Sequence, residues 1–434
     1  MVLWKQKQVI LWFSAFSVPF LTLFNFSLSQ TYLSLTYDNN AANATNDSLS
    51  VTVKAPSYTQ QESFAACILV LDQNHRLTEW IAYHYFALPL RTLIIAYDPK
   101  STLRARELVQ RWKSVINIIE WEDDDYLPPN WAAQMARVKG SVGVHRRRQP
   151  RFMKECTKVA ASKKIKRVLH ADVDEYLRIN RNVVSSDIVN ASEPGHITKF
   201  LNQLEHKNNT LFPESTNGYG RACTCFSRYH YVQVLNDPSN GTTHEYNSLA
   251  SSFVGKEHEV YFDTLRYPYR AGFITGLPKG IINLKYISNS ELSRAKNDVH
   301  LPLGKQYCER PNLNTTLFIF NHYIGSYESF LYSVHNDPRY NMTRDKWEER
   351  VYGGGGMLTG QDAWKTLPPV LDDTIVEWLP AFYQWQSEET ASWLLQDTGL
   401  RAVLPELMAQ HPEISNSYYD QDAEKILINA LSQQ

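Results

Sequence analysis

Between Leu169 and Leu177 the chain reads LHADVDEYL, which puts Asp172, Asp174 and Glu175 within four positions and apolar residues on both sides. Negative charge at such density is costly near a core unless a cation meets it, because burial penalises the charged form and like charges repel. Side chains two apart on a strand point the same way, so Asp172 and Asp174 are expected to converge at a strand end. Two carboxylates there can hold a hard divalent cation and leave room for phosphates and water. Val173 is expected to face the core, and Glu175 either joins the cluster or turns toward a basic side chain. An Asp-x-Asp triplet is a weak signal alone. The metal it implies would serve sugar transfer from a nucleotide diphosphate or phosphoryl hydrolysis equally well.

The elements that must position this pair are strands alternating with helices. Ala65–Leu71 (AACILVL), Arg91–Tyr97 (RTLIIAY), Val115–Trp121 (VINIIEW) and Arg167–Ala171 read as strands. Leu77–Leu88 has apolar residues at helical spacing and stops before Pro89. A second helix is expected from Ser101, as its cap, to about Lys113. Asn130 to about Ala161 reads as a long, partly helical connection. This alternation predicts an α/β fold with a mostly parallel central sheet and flanking helices. In open sheets of this kind ligands bind beyond the carboxyl ends of the strands. Asp72, Asp98 and the Asp172/Asp174 pair all fall there, and together they form a candidate rim. Further strands are expected near Tyr229–Leu235 and Gly280–Tyr286, and helices over Ile375–Tyr383 and Glu389–Leu394. Gly353–Gly356 lacks the Lys-Ser/Thr of a phosphate loop.

Composition narrows the class. The chain has 434 residues, 43% of them apolar and 21% charged, which suits a globular protein. With 44 basic and 45 acidic residues it gives no global case for nucleic acid. Ten Lys and Arg lie between His145 and Arg167, a patch that could steer an anionic substrate or simply be a solvated helix face. After Lys5 and Lys7, residues 9–28 carry no formal charge, long enough to cross a bilayer. The basic residues precede this run, so a single-pass type II anchor with a lumenal body is expected, with a cleaved signal peptide as the alternative. Asn-x-Ser/Thr triplets at Asn43, Asn46, Asn208, Asn240, Asn314 and Asn341 agree with a lumenal body. Residues 31–61 read as a flexible stem. Cys67, Cys156, Cys223, Cys225 and Cys308 allow one or two bridges and leave an odd thiol. Cys223-Thr-Cys225 lacks the spacing of a redox pair, and the sequence offers no second cysteine pair to complete a zinc site.

HADVDEY resembles the Asp-x-Asp segment of glycosyltransferases of the GT-A fold, a Rossmann-like architecture. The stretch ILVLDQNHRLTEWIAYHYFALPLRTLIIAYDPKS resembles the opening of glycosyltransferase family 92 (DUF23) and the related family-2-like group. NHYIGSYESFLYSVHNDPR resembles the segment that closes the catalytic domain in those enzymes. The three blocks span roughly residues 64–345. The resemblance implies a Golgi-resident, membrane-anchored enzyme that uses nucleotide sugars with Mn2+ or Mg2+. On that basis residues 1–30 are a tail and anchor, 31–61 a stem, 62–345 a GT-A catalytic domain and 346–434 a helical extension.

Roles carried over from the resemblance place Asp172 and Asp174 at the metal and donor phosphate, with His322 completing metal coordination or simply packed in the core. Asp98 is matched to the uracil or ribose contact, with capping of the next helix as its alternative. Asp72 belongs to the same donor rim, and Glu79 is expected to orient the donor loop or pair with a basic residue. An inverting transfer needs a general base, for which Glu328 stands first and Asp263 and Asp362 are rivals. Gly325-Ser326 stands where relatives often carry a basic residue before the serine. The missing charge at the phosphates would then come from Arg344, Lys279 or Lys285. The implied reaction transfers a hexose, with galactose from UDP-galactose as first choice, to a glycan hydroxyl. A glycan-binding protein without turnover and a metal-dependent phosphoesterase are the other readings.

Overall fold

In the run FAACILV six of seven residues are buried and Leu69 is half-buried, on both sides of a strand, and that requires a helical layer on each face of the sheet. In the computed structural model this strand, β1 (Phe64–Val70), is central to a parallel set with β2 (Leu90–Tyr97), β3 (Asn117–Trp121) and β4 (Arg167–His170), in the order β3-β2-β1-β4. The structure describes residues 52–55, 58–59, 62–101, 104–138, 140–206, 222–232, 262–271, 275–296, 300–309, 316–325 and 370–396. The expected membrane segment at 9–28, and Glu328, Arg344 and Asp362, lie outside the described residues. Among the described residues no helix is long and apolar enough to cross a membrane.

The parallel strands are joined by α1 (Asn74–Ala87), α2 (Arg106–Lys113) and a three-helix connection, α3 (Asp123–Tyr126), α4 (Trp131–Met135) and α5 (Gly140–Ser162). Successive β1 side chains point to opposite faces. Phe64, Ala66, Ile68 and Val70 pack with Leu77, Trp80 and Ile81 of α1, whereas Ala65 and Cys67 pack with Phe152 and Met153 of α5. A disulfide from Cys67 to Cys156 ties α5 to β1. Ser101 does not cap the second helix as the sequence suggested. Its Oγ accepts from the Asp72 N–H at 3.1 Å, and α2 begins at Arg106.

Beyond β4 the sheet becomes mixed. The remaining elements are β5 (Glu175–Ile179), α6 (His196–His206), β6 (Cys223–Val232), α7 (Asp263–Arg266), β7 (Tyr269–Arg270), β8 (Thr275–Asn283), α8 (Asn289–Arg294), β9 (Cys308–Glu309), β10 (Phe318–Gly325), β11 (Val370–Leu371), α9 (Trp378–Gln386) and α10 (Glu388–Leu395). β8 runs antiparallel between β4 and β6, while β10 lies parallel to β6 and antiparallel to β5. Among the described residues five strand pairings are parallel and five antiparallel, so the expected mostly parallel sheet is a mixed one. Antiparallel partners need no crossover helix, so helix–strand alternation does not reveal them. α1 is buried along its length. The Trp80 indole donates to the Glu175 carbonyl at 2.9 Å and the Tyr83 hydroxyl to that of Leu177 at 2.7 Å, docking α1 on β5.

Candidate active site at the β1/β4 switch point

The order β3-β2-β1-β4 reverses direction between β1 and β4, and in doubly wound sheets that reversal opens a crevice at the carboxyl ends of the strands. The acidic stretch leaves β4 at this point. Residues 171–174 form a turn, closed by the Glu175 N–H donating to the Asp172 carbonyl at 3.1 Å, so the strand rule of alternate sides does not govern the pair. Asp172 and Asp174 consequently have different surroundings. Asp172, whose side chain is 38% exposed, accepts from Lys279 Nζ at 2.6 Å. Asp174 is buried, with Oδ2 at 3.2 Å from Arg76 Nη1 and 3.4 Å from His322 Nε2.

His322 is held there by the sheet. It sits on β10 opposite Glu175 of β5 and opposite His230 of β6, and the next residue, Tyr323, donates its N–H to the Asp174 carbonyl at 2.8 Å. Ligand atoms of Asp174, Glu175 and His322 lie within 4.8 Å of one another. Two carboxylates and an imidazole form a mixed oxygen and nitrogen donor set that suits Mn2+. The set differs from the one read in the sequence, because Glu175 belongs to it and Asp172 faces Lys279.

The cations that the acidic run required are supplied by the protein. Glu175, with no exposure, is paired with Arg228 of β6 and lies 3.4 Å from Lys279 Nζ. Burial works against the charge on Lys279, but Asp172 and Glu175 outweigh it and raise its pKa. Arg76, in the first turns of α1, reaches both Asp174 and Asp263, the latter at 2.8 Å through Nε, and also donates to the Ile324 carbonyl at 3.3 Å. Burial opposes its charge too, and Asp263 and Asp174 raise its pKa. Arg76, Arg228 and His230 escaped the sequence reading. The one signal for Arg76 was a cation on the same helix as Leu77, Trp80 and Ile81.

The other predicted residues divide. Asp263 joins the site through Arg76. Glu79 supports it from behind, accepting from the Asp263 and Thr264 N–H groups at 2.8 and 2.9 Å and from the Thr264 hydroxyl at 2.6 Å. Burial first, and then Asp263, push the Glu79 carboxyl up to about 8. Asp72 is buried and carries an unusual positive φ of 52° just past β1. Asp98 makes no helix cap. It accepts from the Lys100 N–H at 3.1 Å and faces His145 and Arg148 of α5, each at 3.5 Å. Although burial opposes its charge, the hydrogen bond from His145 and the other donors hold its pKa low. Lys285 is exposed, with Nζ over the Tyr286 ring, and does not join Lys279. In the α5 patch, Arg148 pairs with Asp123 and Asp98, Lys158 with Glu155, and Lys166 and Arg167 with Glu205, which leaves a smaller steering charge than the sequence count suggested.

No family model matches the chain, and no curated protein matches it. Among solved structures, the crystal structure of S. aureus TarS is similar at 11% identity and a TM-score of 0.27, covering 82% of this chain and 54% of that one. The structure of TarS 1-349 is similar at 11% identity and a TM-score of 0.26, covering 86% of this chain and 92% of that one. The chain thus spans about half the length of the first of these proteins. Likeness at this level carries no argument about fold or activity.

Proposed function

We propose that this chain is a metal-dependent glycosyltransferase that moves a hexose, with galactose from UDP-galactose as first choice, to a glycan hydroxyl with inversion. The carrying observation is the meeting of Asp174 and His322, 3.4 Å apart, at the β1/β4 switch point. Asp174, Glu175 and His322 would hold Mn2+ or Mg2+, which when bound offsets the charge of the departing diphosphate. Around them Lys279 and Arg228 place fixed positive charge, and Arg76 orients Asp174. Asp263, gripped by Arg76, is the general base best supported among the described residues; Glu328 and Asp362 remain its rivals from the sequence. Residues 9–28 would anchor the enzyme in the Golgi membrane as a type II protein, with the catalytic part lumenal.

One observation favours a second reading, a glycan-binding protein without turnover: Asp172, Asp174 and Glu175 each already have a protein cation as partner. An assay of the full chain against nucleotide sugars and a glycan array, with and without Mn2+, separates the readings. Transfer with a defined product linkage is expected, and Asp174→Ala should lower its rate by about 10²–10³-fold, the scale of losing one electrostatic stabiliser. UDP–Mn2+ binding without any transfer would establish the second reading. Phosphate release in the absence of acceptor would point to a phosphoesterase. Unchanged turnover in Asp174→Ala would remove the site.

A further inference from the structure

Three of the five cysteines meet at the start of β6, where β9 pairs with it. Cys223 and Cys225 are two apart on the strand and so share a face. Cys308, 85 residues later, arrives on β9, which pairs in parallel with β6 and places Cys308 opposite Cys223. Cys223 and Cys308 form a disulfide, and the Cys225 thiol, which donates to the His300 carbonyl at 3.8 Å, lies 3.9 Å from the Cys223 sulfur. All three sulfurs lie within 4.8 Å of one another, and all three residues are buried. The sequence argued against a zinc site because it offered no second cysteine pair; the fold brings one further sulfur, that of Cys308, to Cys223 and Cys225.

The surroundings leave room for this third sulfur. Gly280 of β8 stands opposite Cys225, and a Cβ there would come within 3.2 Å of the Cys225 sulfur and 2.9 Å of the Thr224 carbonyl oxygen. Any larger residue would crowd the thiol. The Leu303 N–H donates to the Cys308 sulfur at 3.3 Å. A disulfide clamp uses two sulfurs, so a third held against it adds nothing to the clamp itself.

We propose that the reduced form of this centre binds a thiophilic cation, Zn2+, through Cys223, Cys225 and Cys308. A dithiol transfers two electrons and two protons to the Cys223–Cys308 bridge and becomes a cyclic disulfide, leaving three thiols. Zn2+ then displaces three thiol protons and forms three Zn–S bonds, with a fourth position for water or another donor. Soft thiolates distinguish this centre from the oxygen-rich site at Asp174. Its consequence is mechanical. β9 stays tied to β6 by a disulfide in oxidising surroundings and by the metal in reducing ones.

The test uses the full chain, reduced with a phosphine that leaves the metal free, and Co2+ as a spectroscopic stand-in for Zn2+. One equivalent should produce a sulfur-to-cobalt charge-transfer band, which Co2+ held by Asp174 and His322 does not give. Added Zn2+ should bleach it, Cys225→Ser should lose it and Cys67→Ser should keep it. A reduced chain without the band, a band of equal strength in Cys225→Ser, or one lost in Cys67→Ser overturns the proposal. Alkylation of the unmutated chain gives a check independent of any variant. Zn2+ should slow modification of Cys223, Cys225 and Cys308 while leaving the rates at Cys67 and Cys156 unchanged. Equal rates with and without Zn2+ overturn it as well.

Discussion

In β1 and β2 nearly every buried position is apolar, and the residues facing each helical layer are Ala, Cys, Ile, Leu, Phe, Val and Tyr. In β5, β6 and β8 the buried positions include Glu175, Arg178, Arg228 and Lys279. Both regions are parts of one sheet, yet the first is held by non-directional burial and the second by paired charges whose geometry must be kept. Arg178 illustrates the second kind. It pairs with Asp372 and donates to Asn321 Oδ1 at 2.7 Å, linking β5 to β10 and to the segment after β11. Paired charge in a buried setting contributes little net stability, but removing one partner strands the other. The parallel half is therefore a tolerant scaffold, and the mixed half is a pre-set array of charges around the acidic turn.

The sharpest way to break this contrast is to remove one cation from the mixed half. Arg228→Leu leaves Glu175, which has no exposure, with Lys279 at 3.4 Å as its nearest remaining cation. The expected cost is about 3–5 kcal/mol, read by urea denaturation, because Glu175 stays buried and shares its remaining cation, Lys279, with Asp172. Adding Glu175→Leu should recover most of that loss. A single variant that loses under about 1 kcal/mol would show that Glu175 reaches water or takes up a proton at little cost, and the contrast would fail.

A smaller effect is expected from Glu79→Gln, seen as a pH dependence. The Glu79 carboxyl is lifted from its ordinary 4.5 to about 8, chiefly by burial and then by Asp263. Between those two values the folded protein keeps a proton that the unfolded chain has released. Stability contributed by the protonated form is therefore complete below the lower value and declines as pH rises through the upper one. The slope is at most about 1.4 kcal/mol per pH unit for one proton. Glu79→Gln should flatten the curve over that window. A native protein equally stable across it would mean that the Asp263 and Thr264 N–H donors hold Glu79 ionised throughout.

The two halves also differ in how far they were legible. β1, β2 and β3 announce themselves as apolar runs flanked by Asp, Glu and Pro, and their order follows from the helices between them. The start of α1 was placed at Leu77 and lies at Asn74, because His75 and Arg76 are polar yet buried, Arg76 by virtue of its two carboxylate partners. β5 carries Glu175 and Arg178 at buried positions, so EYLRI read as the tail of an acidic motif. Which residues surround the acidic turn depends on β6, β8 and β10, whose pairings join residues 47 to 147 positions apart in sequence and leave no periodic trace. Asp174 and His322 were legible as residue types. Arg228 and Cys308 gain their meaning from register alone.

The smallest effect is expected in the parallel half. Ile94 is fully buried on β2, and its side chain faces the α5 layer among Ala65, Cys67 and Phe152. Ile94→Val removes one methyl group and leaves every charge of the site in place. The loss should be about 0.5–1.5 kcal/mol, the usual scale for that deletion in a packed core. The proposed metal binding and transfer should stay at the level of the unmutated chain, since β2 ends at Tyr97 and reaches the acidic turn only through β1 and β4. A loss above about 3 kcal/mol would mean that this face is packed as exactingly as the charged half. A stability change within the expected range together with weakened Mn2+ binding would be more damaging, because it would make the scaffold and the charge array a single mechanical unit.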